Sequence, residues 1–204
     1  MLDDKIKRNL RNLRNLRINN GSVTSPVPFK ASTLGARYDQ IGTVPVSVLL
    51  DSVRSLYNVG AFFRTLEAAG GTHLYLAGIS ATPPHVKLAK TALGADQTVP
   101  WTRVEDVGAT IRALQAQQVT VAAVETTASA VDVFDWRPRF PVCLIFGHEV
   151  EGLSSAVIEA CDVSVRIPML GRKASLNVAT AGGVVIYELL RQYRDLHRTG
   201  HTWS

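Results

Sequence analysis

Two stretches of this chain hold the residue types from which chemistry is usually built. One is Ile145-Phe-Gly-His-Glu-Val-Glu-Gly-Leu-Ser154, the other Ile167-Pro-Met-Leu-Gly-Arg-Lys-Ala-Ser-Leu-Asn-Val178. Each reads as a strand running into a glycine-containing loop and then a helix, so the two loops can line one pocket from two sides. Gly147 and Gly152 suit positive φ or the close approach of a ligand. Glu149 between them offers a carboxylate that can bind a cation, orient a donor or cap a neighbouring helix. Ser175 and Asn177 straddle the start of the last helix. Free N–H groups and a positive dipole end suit an anion there, unless simple capping satisfies them. Arg172 and Lys173 add positive charge just ahead.

A third loop lies earlier, Asp51-Ser-Val-Arg-Ser-Leu-Tyr-Asn-Val-Gly-Ala-Phe-Phe-Arg-Thr65. Asn58 is placed to cap the helix that follows. Gly60 and Ala61 let another backbone come close. Arg64 sits among Phe62, Phe63, Leu66 and Ala68, and either snorkels to the surface or reaches an anion. Two tempting side chains have plainer readings. His148 has no second histidine or cysteine near enough for a metal site, so it reads as a surface side chain. Ser154 lacks a Gly-x-Ser-x-Gly elbow and reads as a helix N-cap rather than a nucleophile.

The elements that must position these loops alternate. Strands are expected at Val46–Leu50, Leu74–Ala77, Val119–Val124, Val142–Phe146 and Val163–Ile167. Helices are expected at Asn58–Ala69, Val86–Leu93, Val107–Gln117, Ser155–Ala160 and Leu176–Leu196. Continuous apolar strands between helices imply an α/β fold, a mostly parallel sheet covered on both faces. Ligands in such sheets bind outside the carboxyl ends of the strands, which selects the loops after Leu50, Val124, Phe146 and Ile167. Gly182 and Gly183 inside the last helix each cost about 1 kcal/mol relative to alanine. That cost points to tight packing, within the chain or across a dimer seam.

Composition narrows the class. The 204 residues are 46% hydrophobic and 19% charged, ordinary for a folded domain. The apolar runs are strand-sized and cannot span a bilayer, and no secretory h-region follows the N-terminal Met-Leu-Asp-Asp-Lys, so a cytoplasmic protein is expected. Cys143 and Cys161 read as free thiols in a reducing compartment, and no metal is expected. The net charge of +5 and pI near 9.5 permit a polyanionic partner. Residues 1–43 form a basic N-terminal helix and linker. Leu10, Leu13 and Leu16 run beside Arg8, Arg11, Arg14 and Arg17, before a Gly-, Ser-, Thr- and Pro-rich stretch. Such a basic amphipathic helix docks on the domain, contacts RNA or meets a membrane surface or partner. Residues 44–204 hold the domain proper. G-x-G-x-x-G, Walker A and H-E-x-x-H patterns are absent, which disfavours a nicotinamide dehydrogenase.

Three motifs together resemble one family. Asn58-x-Gly-Ala-x-x-Arg-Thr-x-x-Ala-Ala-Gly70, Gly147-x-Glu-x-x-Gly-Leu-Ser154 and Ile167-Pro-Met-x-Gly-x-x-x-Ser-Leu-Asn-Val178 are similar to the motifs of TrmH-type RNA ribose 2′-O-methyltransferases of the SPOUT superfamily. Lys90-Thr-Ala-Leu-Gly-Ala95 resembles a further segment that these proteins carry, and the match spans about residues 44–196. The resemblance implies a C-terminal deep trefoil knot, S-adenosylmethionine bound in it, and a homodimer whose sites draw on both subunits. Matched residue by residue, it implies cofactor contacts near Val124, Thr126, Gly147, Ile167, Met169 and Leu176. It implies functional roles for Asn58, Arg64, Glu149, Ser175 and Asn177. The substrate it implies is structured RNA. A compact chain with short basic extensions, residues 1–43 and Arg191-Gln-Tyr-Arg-Asp-Leu-His-Arg198, favours tRNA narrowly over rRNA. The other readings are a non-catalytic knotted RNA-binding module and a base-directed RNA methyltransferase.

Overall fold

A computed structural model of the chain describes residues 41–199. The N-terminal basic stripe and most of its linker lie outside the described residues. Seven strands form one sheet in the order β3-β2-β1-β6-β4-β7-β5, and every pairing is parallel. They are β1 (Val46–Asp51), β2 (His73–Ala77), β3 (Trp101–Val104), β4 (Thr120–Val124), β5 (Val131–Asp132), β6 (Val142–Phe146) and β7 (Val163–Arg166). The helices are α1 (Leu56–Ala68), α2 (Val86–Ala92), α3 (Ala95–Thr98), α4 (Val107–Gln115), α5 (Ser155–Ala160) and α6 (Val178–Thr199).

The central strands explain why the sheet is covered on both sides. Every residue of β2 and β6 is buried, as are the first five of β1. Side chains alternate between faces along a strand, so burial of consecutive residues needs a layer above and a layer below. The helices supply those layers in two groups, α1 packing on α2, α3 and α6, and α4 packing on α5. Helix α1 buries Val59, Phe62, Phe63 and Leu66, the i, i+3, i+4, i+7 stripe of one helical face. Each large side chain so buried contributes about 1.5–3 kcal/mol. Phe62 meets Phe146 of β6 with ring centroids 4.9 Å apart, which joins α1 to the middle of the sheet.

Two glycines set helix seating. At Gly60 a Cβ would lie 2.8 Å from the Leu88 carbonyl oxygen, so α1 crosses α2 backbone against backbone. At Gly182 a Cβ would collide with the buried ring of Phe62, 2.6 Å from Cζ, so α6 rests on α1 there. The tight packing expected of the glycine pair is thus intramolecular at Gly182. A Cβ at Gly183 would meet nothing within 4 Å.

Several expectations need correction. Helix α1 begins at Leu56, and its N-cap is Ser55, not Asn58, which stands inside the first turn. Helix α6 starts at Val178 rather than Leu176, because Asn177 caps it from outside: its Oδ1 accepts from the N–H groups of Ala179 (3.0 Å) and Thr180 (3.2 Å). Ser154 does cap α5, accepting from the Val157 N–H. Strands β3 and β5 and helix α3 have no counterpart among the expected elements. Cys143 and Cys161 are free thiols, and burial pushes both up to about 12. Among the described residues no helix is long and apolar enough to cross a membrane.

Candidate active site

The loops that leave β4, β6 and β7 converge outside the carboxyl ends of their strands, where a parallel sheet offers its ligand site. Between them lies a cavity of about 260 Å³. The β4 loop brings Val124, Glu125 and Thr126 to its wall. The β6 loop brings Gly147, His148, Glu149 and Gly152. The β7 loop and the start of α6 bring Arg166, Ile167, Met169, Ser175, Leu176 and Asn177.

The β6 loop owes its shape to its glycines. A Cβ on Gly147 would stand 2.5 Å from the carbonyl carbon and oxygen of Gly152, so the loop closes on itself with no room for a side chain. Gly152 has φ +69°, a left-handed conformation that glycine adopts at little cost. A bridge joins His148 to Gly152, and His148 Nδ1 accepts from the N–H groups of Val150 and Glu151, both at 3.2 Å. His148 therefore folds the loop. An Nδ1 that accepts leaves the proton of the neutral ring on Nε2.

Glu149 reaches from this loop to the start of α1. Its Oε2 accepts from the Arg54 N–H, and its Oε1 accepts from the Ser55 N–H and from Asn58 Nδ2, all at 2.9 Å. Ser55 is the N-cap of α1, so the carboxylate sits at a helix N-terminus, where negative charge is favoured. Desolvation raises the Glu149 pKa, but the hydrogen bonds outweigh it and hold the carboxyl down at about 2. Asn58 Oδ1 in turn accepts from Asn177 Nδ2 at 3.2 Å, and Asn177 Oδ1 caps α6. A continuous chain thus runs from the N-terminus of α1 through Glu149, Asn58 and Asn177 to the N-terminus of α6. Every donor and acceptor along it fixes which way each amide points. The anion considered for the α6 N-terminus meets an end whose Ala179 and Thr180 N–H groups already serve the Asn177 cap.

Arg64 stands apart. It is exposed on α1, six residues beyond Asn58, and is not among the residues lining the cavity of its own chain. Tyr57 precedes it by two turns on the same helical stripe and is 62% exposed. The C-terminal basic segment is partly engaged. Arg191 pairs with Glu188 at 2.6 Å and Asp195 at 2.9 Å, and Arg194 pairs with Asp195. Glu125 and Arg166 were not singled out by sequence. The signal available was position, since each is the last residue of its strand or the next one after it. Among the described residues no cluster of histidine, cysteine, aspartate and glutamate could hold a metal ion.

Comparison with known proteins agrees with this geometry. Residues 45–187 match the SpoU rRNA Methylase family, which covers all three loops. The chain belongs to the SpoU rRNA methylase family. Among curated SpoU relatives, the 23S rRNA (guanosine-2′-O-)-methyltransferase RlmB of Ralstonia nicotianae is 35% identical over 162 residues, 79% of this chain and 65% of that one. The RlmB of Vibrio parahaemolyticus is 32% identical over 148 residues, 72% of this chain and 60% of that one. The chain therefore spans about three-fifths of the length of the curated relatives it matches. Among solved SpoU structures, the A. aeolicus TrmH/SpoU tRNA modifying enzyme superposes with TM-score 0.69 at 25% identity, covering 78% of both chains. The SpoU methyltransferase AviRb from Streptomyces viridochromogenes, in complex with the cofactor AdoMet, superposes with TM-score 0.66 at 32% identity, covering 72% of this chain and 57% of that one.

Proposed function

We propose that this chain transfers a methyl group from S-adenosylmethionine to a ribose 2′-hydroxyl of structured RNA, with ribosomal RNA ahead of tRNA. The observation that carries the proposal is the hydrogen-bonded chain Glu149–Asn58–Asn177 beside a three-loop cavity in a SpoU fold. A pure binding module has no need to hold two amides and a carboxylate in one fixed orientation. The curated relatives named above act on 23S rRNA, which supports rRNA over the tRNA favoured by the shape of the chain alone. The trefoil knot of the family belongs to the same proposal. It is supported by β6 and its loop lying between β1 and β4, with the later β7 loop sharing the cavity.

The cavity fits the cofactor. At Gly147 the walls meet backbone to backbone, Val124, Ile167, Met169 and Leu176 supply apolar lining, and Glu125, Thr126, Arg166 and Ser175 supply polar groups, the mixture common in small-molecule sites. The apolar residues, with Thr126 and Gly147, would hold S-adenosylmethionine. When bound, the cofactor supplies an electrophilic methyl group on a sulfonium. The protein then has to align attacker and methyl, for which positioning is worth roughly 7–11 kcal/mol. Asn58 and Asn177 would orient the ribose, and Ser175 would order the turn into α6.

Proton removal is the harder task. Glu149 is held at about 2 by its donors and is a weak base at neutral pH. The amides do not titrate, and His148 Nδ1 is engaged by two backbone N–H groups. A guanidinium is a cation that donates and does not accept, so Arg64 would hold an RNA phosphate and stabilise the developing alkoxide, and the 2′-hydroxyl proton would leave to solvent water as the oxygen–methyl bond forms and the sulfur–methyl bond breaks. Its exposure outside its own cavity supports a site completed by a second copy of the chain. Leu170, fully exposed beside the cavity, half-exposed Tyr187, and the open position at Gly183 support a homodimer seam along α6.

The test is incubation with methyl-labelled S-adenosylmethionine and unmodified rRNA or tRNA, followed by digestion to nucleosides. Label on ribose 2′-oxygens, more from rRNA, is expected. Label on a base, or no transfer to any RNA despite cofactor binding, would overturn the proposal.

A further inference from the structure

Glu125 is the one carboxylate of the cavity that the reading above leaves without a task. It directly follows β4, and its backbone N–H donates to the Val165 carbonyl, which anchors it between β4 and β7. Oε1 accepts from the Thr126 N–H at 2.9 Å and Oε2 from the Leu153 N–H at 3.1 Å. The carboxylate thus ties the β4 loop to the β6 loop and is not a mobile surface acid. Gly152 is part of the fit, since a Cβ there would stand 2.5 Å from Glu125 Oε2.

An ionised carboxylate has about four acceptor directions. Two are used by these backbone donors. Among the described residues Glu125 makes no ion pair, although it lines the same cavity as Arg166. A negative charge fixed in a cavity with spare acceptor capacity suits a ligand that brings donors or positive charge. Glu149 differs, because three donors from α1 already occupy it.

We propose that Glu125 is a cofactor-binding residue whose carboxylate accepts a hydrogen bond from a hydroxyl or ammonium donor of S-adenosylmethionine, held in place by its bonds to Thr126 and Leu153. The inference rests on the cofactor reading of the cavity. It goes beyond that reading by naming the side chain that recognises the polar part of the ligand.

The test is calorimetric binding, without turnover. Wild type and Glu125→Gln are titrated with S-adenosylhomocysteine, with 5′-methylthioadenosine and with the 2′,3′-dideoxy analogue of the latter. A glutamine cannot accept from both Thr126 and Leu153, so some loosening of all three ligands is expected. The dideoxy analogue, with neither the ribose diol nor the ammonium group, measures that loosening. An additional loss of tenfold or more for S-adenosylhomocysteine alone assigns the ammonium group as donor. The same additional loss shared with 5′-methylthioadenosine assigns the ribose hydroxyls. An equal factor for all three, or no loss, overturns the proposal and leaves Glu125 a loop tie only. Glu125→Asp keeps the charge but draws it back, and should show the same ranking at smaller amplitude even if the glutamine variant folds poorly. Failure of the wild type to bind S-adenosylhomocysteine would sink the cofactor reading itself, a distinct result.

Discussion

The neighbouring glycines of α6 offer a controlled experiment on how the last helix is held. Replacing either with alanine removes the same helix penalty, about 1 kcal/mol in favour of the variant. At Gly183 nothing lies within 4 Å of the new methyl, so Gly183→Ala should stabilise the isolated chain by up to that amount. At Gly182 the methyl must displace the ring of Phe62, which is fully buried and packed on Phe146. Overpacking of that kind costs about 1–3 kcal/mol. Because the propensity gain is common to both, the difference between the two variants isolates the packing cost. Urea unfolding at one protein concentration reads it: with m about 1–3 kcal/mol/M, Gly182→Ala should unfold earlier than Gly183→Ala by about 1 M. Adding Phe62→Leu to Gly182→Ala should recover part of the loss by shortening the obstructing side chain. The same displacement would tilt the α6 N-terminus and stretch the Asn177–Asn58 bond, weakening S-adenosylhomocysteine binding. Equal midpoints for the two alanine variants would refute the seating of α6 on Phe62.

Arg64→Ala should keep cofactor affinity and lose methyl transfer by a hundredfold or more, measured with labelled cofactor; turnover near wild type would end its electrostatic role. Glu149 has a folded pKa lowered from 4.5 to about 2, so its contribution is fully present above about 4.5 and is lost as pH falls through about 2. Glu149→Gln should therefore lose stability at neutral pH and converge with the wild type near pH 2 in thermal melts. Burial lowers His73 from 6.5 to about 4, so the folded state resists its protonation and stability falls as pH drops between those values. At about 1.4 kcal/mol per unit this amounts to about 3 kcal/mol, and His73→Gln, which can still meet Thr102, should flatten that part of the profile.

The parallel sheet and the loops of the candidate site were both legible in the sequence, but the long-range contacts of their side chains were not. Gly147, Glu149, Ser175 and Asn177 are legible because loops after buried strands announce themselves by glycine and polar residues among apolar runs. What Glu149 does was not legible: its partners Arg54, Ser55 and Asn58 lie more than ninety positions away in the chain. Asn58 looked like a cap because its type favours caps. Ser55, three residues earlier, holds that place and leaves the amide free to donate to the carboxylate. Strand β3 escaped notice because it is four residues long, follows Pro100, and has Thr102 and Arg103 breaking its apolar character. Strand β5 is two residues at the sheet edge, too short for any periodicity. Glu125 gave no compositional signal. Its meaning comes from Leu153 and Gly152 arriving beside it once the strands are ordered.

That order has a consequence for synthesis. Strand β1 finds its neighbour β2 soon after it is made, but its other edge is completed only by β6, as the bond from Ser47 to Val142, 95 residues apart, shows. Until residues 142–146 leave the ribosome, a nascent chain carries β1 with one row of backbone groups unpaired in the middle of the future sheet. Such an edge templates pairing with other chains, and the long closure slows its repair. Truncations ending before β6 should therefore be sticky rather than merely inactive, and expression of the whole domain should depend on how promptly those five residues follow.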